Sequence, residues 1–300
     1  MKGGKATKNY RKRFIFVVGS GCSGNSAITD WLKDNSTDDM AVFSGDFEEL
    51  REIGAIMDAV RGVGEQSFSI QFFLFLIKHN SRLILRMIFG KIFGLSFSSE
   101  SFQLRNSITR YLRRVALCKV LGLFKGHENI ARYLVKRHLE SLSSKNFIVL
   151  NNPLFINRES FEFANWVGIE YQVIFTFRDF RKQFNEWKFL NYDQVNETKL
   201  RIFNKINNPL QRFTAFQKYF FDERKAISEI AKVTYVSYDQ FVLEKQYRSM
   251  IWKSVFLIKL SAEKHHSFNP TDSRANVYDK NAVPLSGDLD LLMSHYRQLM

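Results

Sequence analysis

The sequence has 300 residues, of which 45% are hydrophobic and 15% aromatic, and its formal net charge is +14. A chain of this length and composition can bury a sizeable core, which excludes disordered and fibrous proteins. The positive charge favours an anionic partner such as nucleic acid, an anionic membrane or a charged nucleotide. We expect no nucleic-acid partner, because no zinc-finger, RRM or helix-turn-helix spacing occurs.

Cysteine usage and apolar runs bear on where the protein resides. Cys22 and Cys118 provide no disulfide framework, which favours a reducing compartment. The apolar run at residues 14–18 is too short for a secretory signal. The longest apolar run, residues 68–77, falls well short of the ~20 residues of a spanning helix. We therefore expect a cytoplasmic protein, either soluble or peripheral at the inner membrane surface.

The predicted elements begin after a basic arm at residues 1–13, which is rich in lysine, arginine and glycine and is expected to be flexible. Residues 14–18 form a continuous apolar run, typical of a strand buried on both faces of a parallel sheet. Further strands are predicted at residues 41–44, 146–150, 172–177 and 232–238. Helical spacing is predicted from Ala27, over residues 180–189 and 200–231, and from Gln240 with Asp239 as N-cap.

This alternation predicts an α/β fold of the P-loop type, with a parallel sheet of about five strands flanked by helices. Residues 54–140 are predicted to be a helical insertion after the second strand, so residues 14–300 form one domain. Within the insertion, residues 68–102 and 112–125 interleave apolar and basic side chains. They are interpreted either as core-packing helices with solvated basic faces or as helices that lie on an anionic membrane.

Residues 19–26 carry the most informative motif, Gly-Ser-Gly-Cys-Ser-Gly-Asn-Ser, between the first strand and the first helix. A helix N-terminus offers unpaired N–H groups and a positive dipole end, and glycines let the backbone wrap closely around an anion. The hydroxyl and amide side chains can add donors. The pattern predicts a phosphate site formed by Gly19, Gly21, Cys22, Ser23, Gly24, Asn25 and Ser26. The alternative is a tight turn that binds nothing.

The same loop lacks the lysine of a Walker A motif, which disfavours hydrolysis of ATP or GTP. It resembles instead the 5′-phosphosulfate loop of sulfotransferases, where a basic residue precedes Ser-Gly-Thr-Thr/Ser. Ser23, Gly24 and Ser26 match that pattern, Asn25 replaces a threonine, and Cys22 stands at the basic position. The resemblance implies 3′-phosphoadenosine 5′-phosphosulfate (PAPS) as the sulfuryl donor and requires no metal.

A second match follows the fourth predicted strand, which ends in Arg178-Asp179 with Arg181 close behind. In sulfotransferases the first arginine and a serine eight residues later hold the 3′-phosphate of PAPS. The resemblance implies this role for Arg178, whereas Glu186 stands in the serine's place and either turns away or marks a changed donor site. An ordinary ion pair is the alternative role of Arg178. By the same resemblance, Arg274 in a C-terminal loop reaches the 3′-phosphate.

Sulfuryl transfer needs a base within hydrogen-bond reach of the acceptor. The acidic residues after the second predicted strand supply candidates, with Asp46 first and Glu48 second. Their alternative role is that of a solvated first turn of a helix, where the dipole favours acidic residues. His138, His265 and His266 are the next candidates. No Cys/His cluster has metal-ligand spacing, so no metal site is predicted.

The sequence therefore favours a sulfotransferase-like enzyme that transfers a sulfuryl group from PAPS to a hydroxyl of a carbohydrate or a glycolipid, such as a lipid-linked glycan. Cys22 and Glu186 depart from the family pattern and suggest an alternative, a relative that is non-catalytic or uses another nucleotide. A basic peripheral membrane-binding module is the third interpretation.

Overall fold

The computed structural model describes residues 12–43, 136, 139–140, 142–151, 158–187, 203, 205–260, 262–270, 273 and 287–299. The chain packs as two compact units. One consists of Met1–Phe47, Lys145–Glu162 and Glu170–Met300, and the other of Glu48–Ser144 and Phe163–Ile169. The predicted arm and the predicted insertion at residues 54–140 lie almost wholly outside the described residues. The division into arm, domain and insertion stays a prediction.

One five-stranded sheet organises the described part of the first unit. Its strands are β1 (Arg13–Gly19), β2 (Met40–Phe43), β3 (Phe147–Asn151), β4 (Glu170–Phe177) and β5 (Val233–Ser237). The helices described are α1 (Asn25–Asp34), α2 (Arg158–Val167), α3 (Phe180–Trp187), α4 (Pro209–Ser228), α5 (Tyr238–Leu243), α6 (Lys245–Phe256) and α7 (Gly287–Gln298). None of these helices is long and apolar enough to cross a membrane.

All strand pairs are parallel, and the order across the sheet is β2-β3-β1-β4-β5. Parallel neighbours need crossover connections, which helices provide here. The predicted α/β fold with about five parallel strands is therefore confirmed. Each predicted strand is present, with ends that differ from the predicted ones by at most two residues.

β1 is buried on both faces, as its continuous apolar run predicts. Ile15 and Val17 pack on one face with Trp31 of α1, and all three are fully buried. Because side chains alternate along a strand, Phe16 lies on the opposite face. There its ring meets that of Phe161 edge-on, with 5.8 Å between the centroids. The central strand thus anchors an aliphatic layer on one side and an aromatic layer on the other.

The aromatic layer encloses a cation. Arg224 of α4 is buried, and its Nη2 donates a 2.6 Å hydrogen bond to the carbonyl oxygen of Thr176 in β4. The guanidinium lies 5.0 Å from the ring centroids of Phe175 and Tyr296 and 5.4 Å from that of Phe220. Burial lowers the pKa of Arg224 and raises that of Tyr296 to about 12. Ring faces, the Tyr296 phenol and the Thr176 carbonyl oxygen offset the cost of burying its charge.

The start of α5 differs from the prediction. The prediction that Asp239 caps a helix beginning at Gln240 is wrong, because the helix begins at Tyr238. Ser237 is the N-cap, and its side chain accepts a hydrogen bond from the Gln240 N–H at 3.4 Å. Serine and aspartate are both good N-caps, and the end of β5 leaves Ser237 with the extended backbone that a cap requires. Asp239 lies in the first turn, where the helix dipole favours a carboxylate.

The C-terminal end of α1 is tied to the segment after α6. Asp34 Oδ2 accepts hydrogen bonds from the backbone N–H groups of His266, Ser267 and Phe268 at 2.8, 2.7 and 2.9 Å. Burial on its own would raise the pKa of Asp34. The hydrogen bonds outweigh that effect, so the net pKa lies below its ordinary value.

Replacement of Asp34 by alanine is expected to lower the free energy of unfolding at neutral pH by about 2 kcal/mol, since hydrogen bonds to charged groups contribute ~1.5–3 kcal/mol. A depressed folded pKa stabilises the fold above the unfolded pKa of ~3.9, and that contribution is lost as pH falls through the folded pKa. Urea unfolding of both proteins at neutral pH and at the lowest pH that preserves the fold measures the difference.

The matched control for this substitution is Asp38→Ala, because Asp38 is exposed and its backbone carbonyl, not its carboxylate, accepts from Lys145. The control should leave stability nearly unchanged at both pH values. A stability gap between wild type and Asp34→Ala that does not narrow in acid would contradict the assigned role of the carboxylate.

Candidate functional site

The carboxyl ends of β1 and β4 lie side by side in the sheet, and we call the position just beyond them the crevice. The chain leaves β1 toward β2, on one side of the sheet, and leaves β4 toward β5, on the other side. In open parallel sheets, ligands bind at the point where the connections diverge in this way. Residues 20–24 join β1 to α1 at this crevice, and Arg178 directly follows β4. The fold therefore brings together the two segments that the sequence singles out.

Gly19 lets the loop lie against the sheet. A Cβ atom there would overlap the side-chain oxygens of Ser23 and Thr176. In its absence, Ser23 Oγ and Thr176 Oγ1 lie 2.8 Å apart, and Thr176 Oγ1 donates to the carbonyl oxygen of Val18 at 3.2 Å. The Ser23 hydroxyl must then be the donor to Thr176. Ser23 is 0% exposed, so its side chain holds the loop to β4.

Gly24 places the start of α1 against an aromatic ring. Its φ is 91°, in the left-handed region, and a Cβ atom there would lie 2.7 Å from Cγ of Tyr238. Gly24 is the N-cap of α1, and no side chain of the described residues caps this end. The first N–H groups of an α-helix have no partner within the helix, and phosphate or sulfate oxygens are suitable acceptors. The loop therefore presents an uncapped helix N-terminus at the crevice.

The other two predicted donors differ in access. Asn25 is buried, and its Nδ2 donates to Oδ1 of Asn151 at 2.7 Å, which ties the first turn of α1 to the end of β3. Ser26 is exposed in the same turn. The roles of these residues toward a ligand stay predictions, and Ser26 is the one that a ligand reaches without a rearrangement of buried hydrogen bonds.

Gln183 of α3 also binds the loop through hydrogen bonds. The sequence did not predict this role. Its Nε2 donates to the carbonyl oxygen of Gly21 at 2.5 Å and to Oγ of Ser20 at 2.8 Å. Gln183 is 0% exposed. The signal that could have found it is its position in the first turns of the helix after Arg178, on the side of that helix that is buried. Gln183 makes the loop conformation depend on α3.

Arg178 is held by a carboxylate. Its Nη1 lies 2.5 Å from Oε1 of Glu186 and donates to the carbonyl oxygen of Cys22 at 3.4 Å. The Arg178 side chain is 4% exposed and that of Glu186 is 45% exposed. The guanidinium also lies 5.1 Å from the centroid of the Tyr238 ring. The ion pair that the sequence leaves open is therefore present, and its partner is the residue at the family's serine position.

Cys22 contributes no charge to the crevice. Burial raises the pKa of its thiol to about 11, and the Glu186 carboxylate adds to this effect against the opposing influence of Arg178. The thiol is therefore protonated at neutral pH and is neither a cation nor a reactive thiolate. Its φ of 51° is unusual for a residue other than glycine, which shows how tightly the loop curls.

Three basic side chains follow the end of β4, and a carboxylate faces each of them. Arg178 pairs with Glu186, and the two further pairs are Arg181 with Asp290 at 3.1 Å and Lys182 with Asp239 at 3.4 Å. Each of these three described cations therefore has a carboxylate partner. No cluster of metal-ligating side chains occurs in the described part of the chain.

Several candidates lie outside the described residues, namely Asp46, Glu48, His138 and Arg274. His265 and His266 are described, and they lie beside Asp34 at the far end of α1 from the loop. A ten-residue helix is about 15 Å long, which separates these histidines from the crevice.

The sequence matches no protein-family model and no curated protein. The fold is similar to that of a sulfotransferase domain from the curacin biosynthetic pathway, with a TM-score of 0.50 and 11% identity over 95% of this chain and 98% of that one. A sulfotransferase domain from the Synechococcus PCC 7002 olefin synthase aligns with a TM-score of 0.45 and 13% identity over 99% and 98% of the two chains. The first similarity supports a sulfotransferase-like fold for this chain.

Replacement of Gly24 by alanine is expected to destabilise the protein more than replacement of Gly168. Both glycines have left-handed φ values, 91° and 73°, which cost an alanine ~1–2 kcal/mol. A Cβ atom at Gly168 meets nothing within 4 Å, whereas one at Gly24 meets the Tyr238 ring and adds an overpacking cost of ~1–3 kcal/mol. Chemical denaturation of both variants measures the difference, and equal losses would contradict the contact between loop and ring.

Proposed function

We propose that this protein is a sulfotransferase-like enzyme that takes a sulfuryl group from PAPS and transfers it to a hydroxyl of a carbohydrate or glycolipid. The observation that carries the proposal is the uncapped N-terminus of α1, which lies beside Arg178 in the crevice between β1 and β4. That arrangement suits a nucleotide whose 5′-phosphate-bearing end sits on the loop. The similarity in fold to a sulfotransferase domain supports the same class of donor.

The reaction assigns distinct tasks to the chain's residues. The N–H groups at the start of α1 hold the phosphosulfate group and stabilise the charge that grows on the bridging oxygen as the sulfur–oxygen bond breaks. Asp46, or else Glu48, accepts the proton of the acceptor hydroxyl while its oxygen bonds to sulfur. The products are the sulfated acceptor and adenosine 3′,5′-bisphosphate. Arg274 is proposed as a further contact to the donor.

One observation favours a second candidate function, that of a relative that binds a nucleotide without transferring a sulfuryl group. The Cys22 thiol is neutral at the position where the resemblance calls for a cation. The bridging oxygen thereby loses one stabilising charge. Contact with an anionic membrane, through the basic stretches at residues 68–102 and 112–125, is proposed from their composition alone.

AMP and adenosine 3′,5′-bisphosphate are both expected to raise the melting temperature of the protein. At ~100 times the dissociation constant, a ligand that binds only the folded state adds roughly 2.7 kcal/mol of stability. Ser26→Glu should abolish this effect, because a carboxylate at the exposed first turn of α1 repels the phosphate yet suits the helix dipole and leaves the fold intact.

Gln211→Glu is the matched control, since it places the same side chain in the exposed first turn of a different helix, α4. This variant should keep the full ligand effect. If millimolar concentrations of neither nucleotide stabilise the wild-type protein, the proposed function is wrong.

The proposed base is tested by Asp46→Asn, which keeps the size of the side chain and removes its basicity. We expect transfer of radiolabelled sulfate from PAPS to a panel of sugar hydroxyls to fall by ~100- to 10,000-fold, the usual contribution of a general base. Nucleotide affinity should stay within about twofold of wild type. Loss of transfer in Glu48→Gln, together with full activity in Asp46→Asn, would assign the role of the base to Glu48. Full transfer activity in both variants would show that neither residue is the base.

A further inference from the structure

The crevice has two electropositive features, the N-terminus of α1 and the Arg178 guanidinium. They differ in how readily each can contact an anionic ligand. No side chain in the described part of the chain caps the N-terminus of α1. Arg178, by contrast, already donates to Glu186 at 2.5 Å and is almost fully buried. The basic side chains of Arg181 and Lys182 likewise face carboxylates. Among the described residues, the crevice is thus prepared for one anionic group and not for two.

The ion pair of Arg178 and Glu186 lies next to the loop, so it can affect what binds there. Tyr238 contacts both sides of this junction, since Gly24 lies against one part of its ring and the Arg178 guanidinium lies 5.1 Å from its centroid. Arg178 also donates to the carbonyl oxygen of Cys22 within the loop. A nucleotide whose 5′-phosphate occupied the start of α1 would therefore have the pair of Arg178 and Glu186 within reach of its sugar.

We propose that Glu186 determines which nucleotides this crevice prefers, by occupying Arg178 so that a second phosphate on the ribose gains nothing there. A second phosphate there would meet the Glu186 carboxylate beside a guanidinium whose charge is already paired. A free ribose hydroxyl, by contrast, can donate to Glu186 while the ion pair persists, since a carboxylate has several acceptor sites. The inference rests on the proposed function, and it extends the donor class to adenosine 5′-phosphosulfates that lack the 3′-phosphate.

The same carboxylate chemistry selects nucleotides elsewhere. In dinucleotide-binding α/β folds an acidic side chain that accepts from a ribose hydroxyl accompanies the unphosphorylated cofactor, whereas an arginine accommodates the phosphorylated one. Here both side chains are present and joined at 2.5 Å, so the arginine's charge is neutralised before a ligand arrives. The Glu186 side chain is about half exposed, so a ligand or water can reach part of it.

Isothermal titration calorimetry of wild type, Glu186→Gln and Glu186→Ser with AMP and with adenosine 3′,5′-bisphosphate tests the inference. Wild type should bind the two nucleotides within about threefold of each other. Both variants should bind the bisphosphate ~10- to 100-fold more tightly than wild type does, because the freed guanidinium gains a charge-assisted contact. Their affinity for AMP should change by about threefold or less.

Glu170→Gln is the matched control for the loss of one negative charge. Glu170 also forms a partly exposed ion pair with an arginine, Arg13, but it lies at the opposite end of β4. This variant should leave both affinities near those of wild type. In an Arg178→Gln background, the Glu186→Gln substitution should no longer strengthen binding of the bisphosphate, since the carboxylate is proposed to act through that arginine.

The outcomes separate the inference from the proposed function. If wild type binds the bisphosphate more than about tenfold tighter than AMP, or if Glu186→Gln strengthens both nucleotides equally, the inference is overturned and the proposed function stands. If none of the proteins binds either nucleotide, the proposed function falls and the inference falls with it.

Discussion

The candidate site depends on the close approach of the loop to the end of the sheet, which only glycine at position 19 permits. With no side chain there, the buried hydroxyls of Ser23 and Thr176 meet at 2.8 Å and fasten the loop to β4. In the same way, Gly24 lets the start of α1 pack against the Tyr238 ring, which a side chain at that position would overlap. Together these two contacts aim the start of α1 into the crevice. The glycine spacing that suggests an anion site is therefore also a packing requirement.

Charge in the crevice is arranged differently from what the net charge of the chain suggests. The sequence carries an excess of fourteen positive charges, yet the basic side chains just beyond β4 are matched by carboxylates. Among the described residues, the anion site that we propose would therefore rely on backbone N–H groups more than on side-chain cations. This distinction matters for function because backbone donors orient an anion, whereas a flexible cation would attract anions of any shape.

The sheet could be predicted from the sequence because each strand is a short apolar run with clear limits, as at β1 and β4. The position of the loop could be predicted as well, because its glycines lie between an apolar strand and a helical pattern. The partner of Arg178 was not, because the spacing to Glu186 does not say which way a half-exposed side chain turns. The roles of Gln183 and Thr176 could not be predicted, because they arise from contacts between segments more than 150 positions apart in the sequence. The hydrogen bond between Thr176 and Ser23 is an example. The choice of Ser237 over Asp239 as a cap depended on where β5 ends.

The enclosed guanidinium of Arg224 has a consequence for the order in which the chain can acquire its structure during synthesis. Phe175 belongs to a strand that leaves the ribosome long before Tyr296 does, and both rings cover the same cation. Until α7 arrives, the guanidinium lacks the ring of Tyr296 and is open to water on that side. The hydrogen-bonded sheet around β4 can form earlier, because β1 and β5 precede α7 in the chain, whereas the aromatic core on this face of β4 is completed only after α7 has been translated.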